Sequence, residues 1–181
     1  SEAESRLLRR FLDRLYAASG ALAALCLAGI CVLMLAQALG REFGVLIRGA
    51  DDIVGWLCAA SAFLALGYTF RHGELVRVGL LLDRLSLRSR RRTELLALGT
   101  ALLFSGYMLW AVARFVYQSW QFGEVAQGLV KTPIWIPQLS VVLGAAILFL
   151  AIADDFVTQL RGGQPAYRAG EQAHKAEPDL G

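Results

Sequence analysis

The sequence predicts an all-α integral membrane protein, a bundle of four transmembrane helices. Hydrophobic residues make up 56% of the 181 residues and charged residues only 18%, with a mean hydropathy of +0.50. A helix rises about 1.5 Å per residue, so roughly 20 apolar residues cross a hydrocarbon core about 30 Å thick. Uncharged apolar runs near this length cover residues 16–40, 53–70, 95–113 and 132–153.

The first run resembles a secretory signal at its start, because basic residues precede it. Its roughly 25 uncharged residues from Tyr16 to Gly40 exceed the apolar core of a signal peptide, and Arg41 follows without a small-residue cleavage site. We therefore expect a retained span. A chain of this size has room for one such bundle, so we predict one domain over residues 1–161 and a mobile cytoplasmic tail over residues 162–181.

The later runs carry signals for where each helix begins. Asp51 and Asp52 stand directly before the second run, where carboxylates favour the positive end of a helix dipole and can cap free N–H groups. Pro133 and Pro137 flank the start of the fourth run, which predicts an irregular first turn.

The positions of the basic residues predict the orientation of the spans. Fourteen of the 18 Lys and Arg residues fall in the N-terminal segment, the connection after the second run and the C-terminal segment. Only four fall in the other two connections. By the positive-inside rule both termini and the central basic segment face the cytoplasm, and the two charge-poor connections, around residues 41–52 and 114–131, face outward. A net charge of +3 distributed in this way indicates a membrane-facing surface and no nucleic-acid partner.

A search for active chemistry gives negative results. The four runs contain no Asp, Glu, Lys, Arg or His, although intramembrane ionisable groups are the usual sign of an ion path. The histidines, His72 and His174, lie outside the runs and cannot ligate a membrane-embedded haem as a facing pair. We therefore predict no catalytic residue, no cofactor, no metal site and no enzyme activity. The cysteines inside the runs are interpreted as small apolar residues: Cys26, Cys31 and Cys58. The serines there are interpreted as residues that bond to the backbone: Ser61, Ser105 and Ser140.

Small residues at helical spacing are the main positive signal within the spans. Gly55 and Ala59 lie one turn apart in the second run, and Gly144 lies in the fourth. Such positions let helices approach closely, either within one chain or between two membrane proteins. Both interpretations stay open. Gln37 and Gln138 are amides within or at the edge of spans, and each could bond across helices or cap an irregular turn.

The segment from residue 71 to residue 92 is too polar for a span. Read as a helix, it places Arg77, Arg84 and Arg88 on one narrow stripe between apolar flanks. This pattern predicts a helix lying in the membrane interface, with its arginines reaching lipid phosphates. A short cytoplasmic helix packed on the bundle is the alternative.

The stretch ADDIVGWLCAASAFLALGYTFRHGELVRVGLLLDRLS resembles the signature region of the DctQ family, the small membrane subunits of TRAP transporters. An acidic residue opens the second span, Trp follows, and a small-residue-rich span leads to an Arg and Gly and then to a V-R-V-like helix. The fourth run is also similar, and the resemblance covers residues 12–160. Leu75 departs from the pattern, since many members have His there. The matching positions are Asp51 or Asp52, Trp56, Gly67, Arg71, Gly73, Arg77, Asp83, Arg84, Leu85, Pro133, Trp135, Pro137 and Gly144.

The resemblance implies a three-part importer of an organic acid in a bacterial inner membrane, usually driven by sodium. Its partners would be a large multi-span membrane subunit and a periplasmic substrate-binding protein, with membrane lipids around both membrane subunits. The small subunit would brace the scaffold of the large one and help dock the binding protein. The expected subunit interface comprises Asp51, Asp52, Gly55, Trp56, Ala59 and Gly144, and the expected lipid-facing helix comprises Arg71, Arg77, Asp83, Arg84 and Arg88. The alternative is a free-standing four-span scaffold or sensor without a transport partner.

Overall fold

The computed structural model describes the backbone of residues 2–71 and 87–161 and the side chains of residues 11–71 and 92–161. Within these ranges every long element is a helix, and each helix contains a stretch long and apolar enough to cross a membrane. The predicted four-span, all-α fold is confirmed. The helices are α1 (Glu2–Glu42), α2 (Ala50–Arg71), α3 (Leu87–Gln121) and α4 (Trp135–Leu160).

Some sequence predictions fall outside the described residues. The predicted interfacial helix lies largely within 72–86, as do Arg77, Asp83 and Arg84, and the predicted tail covers 162–181. The backbone of Arg88 belongs to the first turn of α3. The interfacial helix and the lipid role of these residues therefore remain predictions.

The third helix is longer than the sequence predicts. The apolar run ends at residue 113, but α3 continues for two further turns to Gln121 because aromatic and polar residues with no helix breaker follow. Arg114 therefore lies on the helix and not in the connection after it. Its guanidinium stacks over the Trp110 ring, 5.4 Å from the ring centre, which gives the charge a partner.

The four helices pack in the spatial order α1, α2, α4, α3. Each helix contacts its neighbours in that row, and α1 touches α4 at only a few points. Of the most apolar stretch of each helix, 28% is buried in α2 and in α4, against 6% in α1 and 11% in α3. The two central helices therefore form the core, and the two flanking helices present most of their apolar surface outward.

Helices α2 and α4 approach each other closely at one crossing. A Cβ atom placed on Gly144 would lie 2.5 Å from the backbone of Phe63, so only glycine fits at this crossing. Leu64 and Ile147 are buried beside it. The hydrophobic core around this crossing consists of Tyr16, Ala23, Ala60, Leu64, Phe70, Leu98, Ile147, Ala151 and Ile152.

The connection between α3 and α4 is an ordered hairpin. Val125 and Pro133 form an isolated antiparallel bridge, supported by the Ala126 N–H donating to the Thr132 carbonyl at 2.9 Å. Gly123 turns the chain out of α3 with φ of +62°, a conformation that glycine adopts without strain. The end of the bundle that is predicted to face outward, called the outer end below and opposite to the inner end, therefore carries an ordered loop.

Candidate partner-binding surface

One face of the central helix α2 is open along its outer half. Asp51, Gly55, Cys58 and Ala62 follow each other at spacings of four, three and four residues, and all four are exposed. No atom lies within 4 Å of a Cβ placed on Gly55. Because these side chains are small, another helix can approach the α2 backbone closely along this stripe. We call these four residues the α2 stripe.

The predicted interface residues divide between this face and its flanks. Gly55 belongs to the α2 stripe, and Trp56 and Ala59 are half-buried beside it. Gly144 is buried at the α2–α4 crossing. Of the two interpretations that the sequence left open, Gly144 therefore follows packing within the chain. The structure therefore brings five of the six predicted residues to the outer half of α2 and places the sixth on the helix behind it.

The two aspartates at the start of α2 contact different elements. Gln37 of α1 donates from Nε2 to Asp51 Oδ1 at 3.0 Å, which confirms that this amide bonds across helices. The Val130 N–H donates to Asp52 Oδ2 at 3.4 Å, and a side chain at Gly128 would overlap the same carboxylate. Asp52 thus fastens the hairpin loop to α2, and both carboxylates lie at the positive end of the helix dipole.

Arg71 joins three helices at the opposite end of α2. Its guanidinium pairs with Asp13 of α1 at 2.6 Å and with Asp154 of α4 at 3.2 Å. The same group lies over the Tyr16 ring, 4.9 Å from the ring centre. The sequence assigns Arg71 to the lipid-facing helix, but in the structure it is the last residue of α2 and is engaged within the chain.

A second polar contact at this end joins α3 to α4. Gln159 Nε2 donates to Glu94 Oε2 at 2.8 Å, and both side chains are buried. Ser19 of α1 donates to the Leu64 carbonyl of α2. Sequence reasoning missed these contacts, although Glu94, directly before the third apolar run, was a usable signal for the first of them, since a buried charge needs a partner.

The three serines that were predicted to bond to the backbone do so within their own helices. Ser61, Ser105 and Ser140 donate to the carbonyls of Cys58, Leu102 and Pro137 at 2.9, 3.1 and 2.6 Å. These bonds keep hydroxyl groups satisfied without any partner helix. In the ranges that the structure describes, no three His, Cys, Asp or Glu side chains gather in a way that could hold a metal ion.

The fold and this surface define a multi-pass membrane protein whose described polar groups serve assembly. The family model for the DctQ component of tripartite ATP-independent periplasmic transporters matches residues 30–162. The chain therefore belongs to the DctQ family, and it is the small membrane subunit of a transporter of this type. Membership implies association with the large membrane subunit and the binding protein. No curated protein and no solved structure matches the chain.

Proposed function

We propose that this subunit braces the scaffold of the large membrane subunit, in a transporter that imports an organic acid with sodium. The α2 stripe is the observation that carries this proposal. It is a small-residue face on the central helix of the row, held from behind by the α2–α4 crossing. A rigid helix with a flat outward face is suited to hold a static partner helix, because close backbone approach maximises van der Waals contact in lipid.

The ion and substrate path would lie in the large subunit. The four uncharged apolar runs lack the intramembrane ionisable groups that usually mark an ion path. The charged groups of the spans lie near the helix ends, where Arg71 pairs with Asp13 and Asp154. This distribution suits a subunit that supports movement in its partner.

The outer end would help dock the binding protein. The hairpin is fixed internally by the bridge between Val125 and Pro133, and externally by Asp52. A pre-ordered loop binds a partner with less loss of conformational entropy than a mobile one. The connections over residues 41–52 and 114–131 were predicted to face outward, which makes them the accessible surface for a soluble partner.

A matched pair of variants tests the bracing surface. Ala62 of the α2 stripe and Ala28 of α1 are both exposed alanines near the middle of their helices. We expect Ala62→Leu to reduce co-purification of the large subunit and substrate uptake, because the larger side chain separates the two helices. Ala28→Leu should leave both unchanged. Equal recovery of the large subunit with the two variants would contradict the proposal.

Cysteine labelling tests the orientation. In a background without native cysteines, Leu46→Cys and Val125→Cys should react with an impermeant maleimide applied to intact cells, since both positions are exposed in the outer connections. Arg90→Cys should react only after the membrane is opened. Labelling of position 90 in intact cells would overturn the proposed topology.

The alternative of a free-standing scaffold or sensor is tested by expression of the chain with its large subunit. A bracing subunit should co-purify with that protein through size-exclusion chromatography. A monodisperse four-span protein that never associates with the large subunit would favour the alternative.

A further inference from the structure

A surface groove lies between α3 and α4, near the start of α3 and the end of α4. Its walls are Leu95, Leu96, Gly99, Leu103, Phe156 and Leu160, and its volume is about 480 Å³. The space is open at Gly99 because this residue has no side chain. A Cβ placed there would make only an ordinary contact with the Phe156 ring, at 3.7 Å. The volume lies within the range of about 300–1,000 Å³ that is typical of ligand sites.

The walls of the groove suit an alkyl chain. The polar wall atom, Thr100 Oγ1, donates to the Leu96 carbonyl of its own helix at 2.8 Å. Beside the groove, Glu94 is buried and bonded to Gln159, which holds α3 and α4 together there. An acyl chain in the groove therefore gains van der Waals contact with the apolar walls and meets little hydrogen-bonding competition, since lipid tails are themselves apolar and no water is displaced.

The charge at the mouth of the groove is positive. Arg92 precedes Leu96, Gly99 and Leu103 by four, seven and eleven residues, so it lies on the same face of α3 as the groove. Arg161 ends α4 directly after Leu160. Both arginines are exposed, and neither has an ion-pair partner among the residues with described side chains.

The acidic side chains that the structure describes at this end are engaged with other groups. Asp13 and Asp154 pair with Arg71, and Glu94 accepts from Gln159. Asp155 is buried and engaged. An apolar trough with two exposed guanidinium groups beyond its end, unpaired among the residues whose side chains the structure describes, is complementary to an anionic phospholipid.

We propose that this groove binds one anionic phospholipid, with an acyl chain along Leu96, Gly99 and Leu103 and the phosphate at Arg92 and Arg161. The inference depends on the membrane location of the chain and not on the bracing role. It is therefore tested on the isolated subunit.

The first experiment is native mass spectrometry of the delipidated subunit, titrated with phosphatidylglycerol or with phosphatidylcholine of the same chain length. We expect one phosphatidylglycerol per chain and weaker binding of phosphatidylcholine. Arg92→Gln and Arg161→Gln should each reduce phosphatidylglycerol affinity by about fivefold, from a contribution of about 1 kcal/mol per basic residue near an anionic surface. Arg14→Gln is the matched control, because Arg14 is an exposed arginine on α1, at the other end of the row.

A second variant tests the apolar part of the site. Gly99→Leu should fill the groove and abolish stoichiometric binding of both lipids, while an unchanged melting temperature shows that the subunit is folded. If Gly99→Leu lowers the melting temperature, Leu103→Trp serves instead, because Leu103 is 78% exposed on the groove wall.

Two results would overturn the proposal. The first is that phosphatidylglycerol and phosphatidylcholine bind with equal affinity and that none of the arginine variants changes this affinity. The second is displacement of the phospholipid when the large subunit is added, together with a cross-link from position 103 to that subunit, which would make the groove a seat for a partner helix. Either result leaves the test of the α2 stripe unaffected.

Discussion

The two long faces of α2 differ in how tightly they are packed. The inward face carries Ala60, Leu64 and Gly67, all buried, and meets α4 at Gly144 with no room for a side chain. The outward face carries Gly55, Cys58 and Ala62, all exposed, with open space at Gly55. Both faces consist largely of small residues, so residue size alone does not tell which one closes within the chain and which stays free for a partner.

The largest expected effect on folding is that of Gly144→Leu. Even a Cβ would lie 2.5 Å from the Phe63 backbone, and the rest of a leucine would force α2 and α4 apart. Overpacking of this kind costs about 1–3 kcal/mol or more. We expect a large fall in melting temperature and loss of the monodisperse peak in size-exclusion chromatography. A variant as stable as the wild type would mean that the α2–α4 crossing is looser than the structure shows.

Next in size is Arg71→Ala at the inner end of α2. The change removes two ion pairs and the stacking on Tyr16, and it leaves the half-buried Asp154 without its partner. We expect a loss of about 1–2 kcal/mol, since exposed pairs contribute little and a cation–π contact adds about 0.5–1 kcal/mol. Thermal unfolding measures it. Asp154→Asn should destabilise more than Asp13→Asn, because the Asp13 side chain is 57% exposed against 29% for Asp154.

A smaller effect is expected for Asp52→Ala at the outer end. The Val130 N–H loses its acceptor, which corresponds to about 1 kcal/mol for a single hydrogen bond. We expect faster limited proteolysis of the hairpin with only a slight change in melting temperature. Asp51→Ala is the control, because Asp51 contacts Gln37 and not the hairpin. Equal protection of the hairpin in the two variants would contradict a clamp at Asp52.

The smallest effect on folding is expected for Gly55→Leu. Its Cβ meets no atom within 4 Å, and leucine favours a helix by about 1 kcal/mol over glycine. The isolated subunit should melt at or slightly above the wild-type temperature, in contrast to Gly144→Leu. Destabilisation comparable to that of Gly144→Leu would remove the distinction between the two faces.

The family assignment is the conclusion that followed most directly from the sequence. The run from Ala50 through Leu85 and the closing span resemble the DctQ family, and the family model confirms that assignment over residues 30–162. The interface residues were harder to assign, because Gly55 and Gly144 are indistinguishable as small residues in apolar runs. Their difference depends on which faces of the helices meet, and helical spacing alone does not fix the rotation of one helix against another.

The sequence by itself determined four helices long and apolar enough to cross a membrane, because in lipid an uncharged run of this length satisfies its backbone N–H and C=O groups as a helix. It also predicted that serines in those runs bond to their own backbone. Tertiary structure decided the spatial order α1, α2, α4, α3, the closure of Gly144 against Phe63, and the pairing of Arg71 with Asp13 and Asp154. The two Arg71 pairs join residues that are 58 and 83 positions apart in the sequence. Contacts over such separations depend on how the helices pack, which no local sequence pattern encodes.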